Sequence, residues 1–164
     1  MRLGSLIVPF VLTALLPLAG GTVDAAEKVT IGAVEDVVVL PWNVTLPARI
    51  DTGALTSSLD ARELTVRDNK AIFRLRNEYE SLRLHLPIIE WRYIRSALGR
   101  ERRPVVEVEI CLGGKRFRTQ VTLKDRSRVS YPLIVGRRAL LGRFLVDVSR
   151  SNVFPPTCPE ALSH

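Results

Sequence analysis

Residues 48–58 read Ala-Arg-Ile-Asp-Thr-Gly-Ala-Leu-Thr-Ser-Ser, "ARIDTGALTSS". One carboxylate, Asp51, follows an apolar residue and precedes Thr52-Gly53. A carboxylate can activate water for attack on an amide if a second carboxyl shares its proton. Two carboxyls about 3 Å apart do not both ionise cheaply, so one holds a proton and the other acts as base. Their titration then belongs to the pair. Such a pair needs rigid backbone and close approach of two chains. Gly53 permits the approach, and the Thr52 hydroxyl can hydrogen-bond across a tight junction. Asp and Gly are also ordinary turn residues, so the tripeptide alone is weak evidence for catalysis. The strand "VTLPARI" delivers Asp51 at its end.

The flanking sequence is rich in strand signals. Val29 to Leu40, "VTIGAVEDVVVL", is β-branched, ends at Pro41 and reads as one strand. Leu82, Leu84 and Leu86 alternate with Arg83 and His85, the period of a half-buried strand. In "VEVEICLGGKRFRTQVTL", Val106, Val108, Ile110 and Leu112 alternate before Gly113-Gly114. Phe117, Thr119, Val121 and Leu123 alternate after it, predicting a hairpin. Helix signals are sparse, and the best is the short segment Arg137 to Leu141. The chain from Ser149 reads as irregular. These features predict an all-β domain, closed on itself or packed as a sandwich.

A second element lies downstream of Asp51. "YPLIVGRRALLGRFLVD" places Ile134, Val135, Gly136 and Arg137 before the short helix. Together with Asp51, Thr52, Gly53 and Ala54, this resembles the retropepsin-like aspartic proteases. The resemblance spans roughly residues 29–154. It is closer still to a bacterial branch often labelled ATP-dependent zinc protease, through Gly32, Glu35, Asp51 to Leu59, Arg95, Arg103-Pro104 and Gly136 to Asp147. It implies a closed β-barrel, the acid protease fold, with one short C-terminal helix. It also implies catalysis by Asp51 with Thr52 and Gly53. The chain has one such tripeptide where pepsin-like enzymes have two, so the second carboxylate must come from another copy. A homodimer with its site on the two-fold axis follows. Leu55 stands where retroviral relatives carry an acidic partner for the Gly-Arg arginine, which leaves Asp60 and Asp147 as candidate partners of Arg137.

The segment "EWRYIRSALGRERRP" falls where that family has its flap. It carries Arg92, Arg95, Arg100, Arg102 and Arg103, with Gly99 as the candidate tip. Ala54, Arg95, Gly99 and Arg103 are the residues expected to touch a peptide or protein substrate. Arginines pair bidentately with carboxylates, which would favour an acidic peptide; a solvated basic loop is the simpler reading. Trp91 and Tyr93 are expected in the core or at the subunit contact.

No cofactor or metal is expected. The histidines are His85 and His164, without His-Glu-x-x-His and without Gly-x-x-x-x-Gly-Lys. His85 reads as the polar face of a strand. The net charge of +7 opens polyanion contact. However, the basic residues are interleaved with acidic ones, and no recognition helix or aromatic-basic ribbon is legible, so no nucleic-acid partner is expected. Residues 1–25 read as a signal peptide: Arg2, an apolar run from Leu6 to Ala19, and small residues before a cut after Ala25. The run is shorter than the about 20 residues of a membrane span; an uncleaved anchor is the alternative. Cleavage leaves 164 − 25 = 139 residues, one domain over 26–164, with no integral membrane segment. The expected location is across the inner membrane, in the periplasm. Cys111 and Cys158 allow one disulfide there or stand as two free thiols. Two functions fit these readings: an aspartic endopeptidase, or a non-catalytic peptide-binding module of the same fold in the bacterial envelope.

Overall fold

Apolar residues at every second position make strands that bury one face. In Val44–Asp51, the side chains of Val44, Leu46, Ala48 and Ile50 are buried while Thr45 and Arg49 are exposed. The computed structural model describes residues 27–76, 82–96 and 99–158; the expected signal peptide lies outside the described residues. The element order is β1 (Val29–Gly32), β2 (Val34–Leu40), β3 (Val44–Asp51), β4 (Ser57–Asp60), β5 (Arg62–Arg67), β6 (Lys70–Arg74), β7 (Arg83–Pro87), β8 (Glu90–Ser96), β9 (Gly99–Leu112), β10 (Lys115–Lys124), β11 (Leu133–Gly136), α1 (Arg137–Leu140) and β12 (Phe144–Asp147).

Seven strands share one sheet in the order β10-β4-β11-β3-β2-β9-β8, and β9 also pairs with β10. The sheet therefore closes on itself, with β8 carried outside the ring by β9. Closure leaves few unpaired edges. The enclosed core includes Val37, Leu46, Ala48, Ile110, Leu123 and Val135. The strands β5-β6-β7 form a separate three-stranded sheet, and β1 pairs with β12 in parallel. The fold is all-β with one short helix, as the sequence predicts. His85 is exposed on β7.

The expected hairpin is β9–β10, with Leu112 opposite Lys115. Gly113 and Gly114 have φ of 56° and 71°, the left-handed pair that a tight two-residue turn requires. The stretch read as one strand from Val29 to Leu40 is two. Ala33 breaks it, because its N–H donates to the Arg150 carbonyl and its carbonyl accepts from Ile50. β1 then leaves for β12 while β2 stays beside β3. The helix ends one residue earlier than read, at Leu140, with Leu141 as its C-cap.

The irregular tail from Ser149 is held at two points. The buried Glu35 carboxylate accepts N–H bonds from Gly32 (2.6 Å), Val153 (3.0 Å) and Phe154 (3.3 Å). Cys111 and Cys158 form a disulfide with Cα atoms 5.3 Å apart, against Val38 and Leu40. This bond bridges a sequence separation of 47 residues. Replacing Cys158 by Ser should lower unfolding free energy by about 2–4 kcal/mol. Denaturant melts should show the same loss when the native protein is reduced, and no further loss when the variant is reduced.

Candidate active site

β3 ends at Asp51, whose parallel partner across the sheet is Gly136 at the end of β11. The chain then turns sharply. Asp51 Oδ1 accepts the N–H groups of Gly53 (2.9 Å) and Ala54 (3.1 Å), and the Ala54 N–H also reaches the Asp51 carbonyl at 3.2 Å. Among the described residues Oδ2 accepts no hydrogen bond. One oxygen is fixed by the turn and the other is available. The Thr52 hydroxyl has no partner among the described residues, and both Thr52 and Gly53 are exposed.

The second element locks this turn from the other side. Arg137 Nη1 donates to the carbonyls of Thr52 (2.7 Å) and Gly53 (2.8 Å). The first helical N–H groups, which lack intrahelical partners, donate from Arg137 to Ala54 (2.9 Å) and from Arg138 to Leu55 (3.2 Å). Gly136 N–H donates to Ser57 Oγ at 3.1 Å. A Cβ on Gly136 would lie 2.8 Å from the Thr56 carbonyl carbon and 2.9 Å from the Ala54 carbonyl oxygen, so only glycine fits. Neither expected carboxylate partner of Arg137 is used. Asp147 is satisfied by Ser149, whose hydroxyl and amide bonds hold its carboxyl below the usual range. Asp60 is buried elsewhere. Backbone carbonyls replace the missing acid at Leu55.

Asp60 organises the loop after β10. Its Oδ1 accepts the Arg126 N–H at 2.6 Å, and its Oδ2 lies 3.4 Å from Arg76 Nε and 3.8 Å from Arg62 Nε. Arg76 Nη2 donates to the carbonyls of Arg126 and Val129. This network was not legible in the sequence, where Asp60 reads as a candidate partner of Arg137. The signal available was its place at the end of the "TSSLD" run, on a strand buried throughout.

The expected flap is the hairpin β8–β9. Ser96 pairs with Gly99, so residues 97–98, outside the described set, fall between the strands. Gly99 has φ 114° and does not line the cleft beneath. That cleft, about 930 Å³, is bounded by Gly53 and Ala54, by Arg92, Arg95 and Arg103 of the hairpin, and by the loop around Arg126. Ala54, Arg95 and Arg103 thus meet at one cleft beside the Asp51 turn. Arg103 is buried and pairs with Glu101 at 2.8 Å, which also binds Lys124 at 2.9 Å. Arg92 reaches Thr56 Oγ1 (3.2 Å), Gln120 Oε1 (3.0 Å) and Glu90. Burial, then the nearby Arg138 charge, lowers the Arg92 pKa.

Strand alternation leaves Trp91 and Tyr93 exposed, which excludes the core position and is compatible with the subunit contact also expected of them. Arg102 stacks on Trp91 and Arg100 on Tyr93, at 4.8 and 4.1 Å from the ring centroids. Two exposed aromatic-basic pairs therefore lie on the hairpin, formed by cross-strand neighbours that a linear reading separates, and Tyr93 also borders the cleft. Among the described residues no three His, Cys, Asp or Glu side chains cluster as a metal site would, and no helix is long and apolar enough to cross a membrane.

A closed β-sheet that presents an Asp-Thr-Gly turn against an apolar-apolar-Gly-Arg element is the architecture of a retropepsin-like chain. Residues 30–157 match the family described as "RimB-like: Retropepsin-like aspartic endopeptidase RimB", and the chain belongs to that family. A crystal structure of Lpg0085, a protein of unknown function from Legionella pneumophila, superimposes with a TM-score of 0.65 at 27% identity. It covers 77% of this chain and 98% of that one. Curated relatives named "Probable alpha-L-glutamate ligase" are 33% identical over 116 residues in Parasynechococcus marenigrum and 34% identical over 117 residues in Shewanella halifaxensis. Each match covers 65% of this chain and 25% of the relative. The chain thus spans about a quarter of the length of those relatives.

Two predictions follow from this geometry. Arg137→Ala removes both carbonyl contacts and should speed hydrogen exchange at the Gly53 and Ala54 amides about tenfold or more. Unchanged exchange would show that the turn holds itself. The Lys124 hydrogen bond holds the Glu101 carboxyl below its ordinary 4.5, against partial burial, with Arg103 adding to the effect. A lowered carboxyl pKa stabilises the fold above 4.5 and loses that contribution as pH falls through the lowered value. Glu101→Gln should therefore flatten part of the acid-side fall in melting temperature. The effect is modest, because the group is half exposed.

Proposed function

We propose that this chain is an aspartic endopeptidase whose catalytic pair is Asp51 and the Asp51 of a second copy. The observation that carries the reading is a single carboxylate, locked at one oxygen and unpartnered at the other, on an exposed turn. A turn that rigid and that open is suited to meeting its own copy across a two-fold axis. The exposed Thr52 hydroxyl and the exposed apolar side chains of Leu55 and Leu141 suit such a contact. Membership of a retropepsin-like family supports the same chemistry.

One Asp51 carboxylate takes a proton from water as the water oxygen attacks the scissile carbonyl carbon. The protonated mate hydrogen-bonds the carbonyl oxygen and stabilises the charge growing there. The tetrahedral intermediate then collapses as the nitrogen is protonated, the C–N bond breaks, and acid and amine products leave. The hairpin β8–β9 covers the cleft and limits competing water.

The substrate class is an acidic peptide. The cleft carries Arg92, Arg95, Arg103, Lys124, Arg126 and Arg128 against Asp125. The ligase relatives add a second line of support, because their printed name concerns L-glutamate, an acidic residue. We assign the ligase chemistry to the rest of those longer proteins. The compartment we propose is the periplasm, from the N-terminal signal; a disulfide between Cys111 and Cys158 suits an oxidising location.

Asp51→Asn should lower cleavage of acidic peptides by about 1000-fold while the mass of the assembly stays the same, and EDTA should leave wild-type cleavage unaffected. Cleavage undiminished in Asp51→Asn rejects the assignment. Peptide binding by a wild type that cuts nothing supports the non-catalytic module instead.

A further inference from the structure

The cations lining the cleft are not equivalent. Arg103 and Lys124 are engaged by Glu101, and Arg92 by Glu90, Gln120 and Thr56. Arg95 and Arg128 are exposed. Arg126 differs from both groups. It is half-buried, lines the cleft, and makes one side-chain hydrogen bond among the described residues, from Nε to the Tyr131 carbonyl at 3.0 Å. Both terminal amino groups remain without a partner there.

Its position is nevertheless tightly determined. The Arg126 N–H is held by Asp60 Oδ1 at 2.6 Å, its carbonyl by Arg76, and its Nε by Tyr131. A fully buried carboxylate and a neighbouring arginine thus fix the main chain on which this guanidinium stands. Burial lowers its pKa first; among the charges, Asp60 raises it, Arg103 and Arg76 lower it, and Asp51 raises it. Arg103 lines the same cleft and Arg76 binds the Arg126 carbonyl, so two cations flank the residue, with Asp60 as the opposing charge. Ser58 adds an independent sign. Its hydroxyl is buried, lines the same cleft, and has no hydrogen-bond partner among the described residues. A half-buried guanidinium with both terminal amino groups unpartnered among the described residues, lining the same cleft as an orphaned hydroxyl, is an arrangement completed by an anion.

We infer that Arg126 is the specificity-determining residue of the cleft, its terminal amino groups receiving the side-chain carboxylate of a substrate residue bound beside Asp51. The inference rests on the acidic-peptide reading above and adds to it the residue that recognises the acid. A guanidinium held before the ligand arrives loses little entropy on binding and can accept a carboxylate bidentately. Asp60 acts on this site as a positioning residue, through the Arg126 backbone.

Binding to protein already carrying Asp51→Asn tests the inference without requiring cleavage. The probes are a tetraglutamyl peptide and its tetraglutaminyl counterpart, measured by titration calorimetry. The expected preference for the glutamyl peptide is about 10- to 100-fold, the range of a charge-assisted hydrogen bond. Adding Arg126→Gln should collapse that ratio to about one, whereas Arg67→Gln, on the exposed end of β5 and not lining the cleft, should keep it. Arg126→Lys keeps the charge and loses the fork, and should retain a reduced preference; it gives the same reading if Arg126→Gln folds poorly. Equal binding of the two peptides before any change at Arg126 overturns the inference, as does a preference that survives Arg126→Gln. A wild type that binds with this preference but never cleaves removes the endopeptidase reading and leaves the role of Arg126 standing.

Discussion

The structure depends on one junction, where the ends of two parallel strands meet. β3 delivers Asp51 and β11 delivers Gly136 to the same level of the sheet. The missing side chain of Gly136 lets the Asp51 turn pack directly against it. Arg137, the next residue, then reaches the two carbonyls that the turn exposes. A retroviral-type acid at position 55 would offer the arginine a charge. Here Leu55 leaves it to carbonyl dipoles, which serve because the turn already points them inward. The carboxylate is thus held by backbone geometry rather than by an ion pair.

Much of this was legible in the sequence. Alternating apolar residues announced β7 and the β9–β10 hairpin, "VTLPARI" was legible as the strand before Asp51, and the order of Asp51-Thr-Gly-Ala and Ile134-Val-Gly-Arg announced the junction. What escaped has a common physical origin. The break at Ala33 is made by hydrogen bonds to Arg150 and Ile50, far away in the chain. The burial of Asp60 depends, beside its neighbour Arg62, on Arg76 and Arg126, which arrive from the segments after β6 and β10. The exposure of Trp91 and Tyr93 is set by cross-strand pairing with Pro104 and Arg102. Local pattern reports which face a residue shares with its neighbours in sequence, not what arrives to meet that face.

The charge distribution carries a parallel lesson. A net charge of +7 spread along the chain reads as diffuse, yet folding sorts the cations into distinct roles. Some stack on aromatic rings of the hairpin, some are neutralised by Glu90 and Glu101, and Arg126 remains half-buried in the cleft. The fold concentrates positive potential beside the one carboxylate proposed to do chemistry. That arrangement is the ground for the acidic ligand proposed above.

The central claim is that two identical Asp51 side chains share a proton. A crystal structure of the assembled protein tests it most directly, through the separation of the two Asp51 carboxyl groups. The account predicts a two-fold pair with carboxyl oxygens about 3 Å apart. A monomer in solution and in the crystal, or a dimer in which the two turns face solvent on opposite sides, would contradict it.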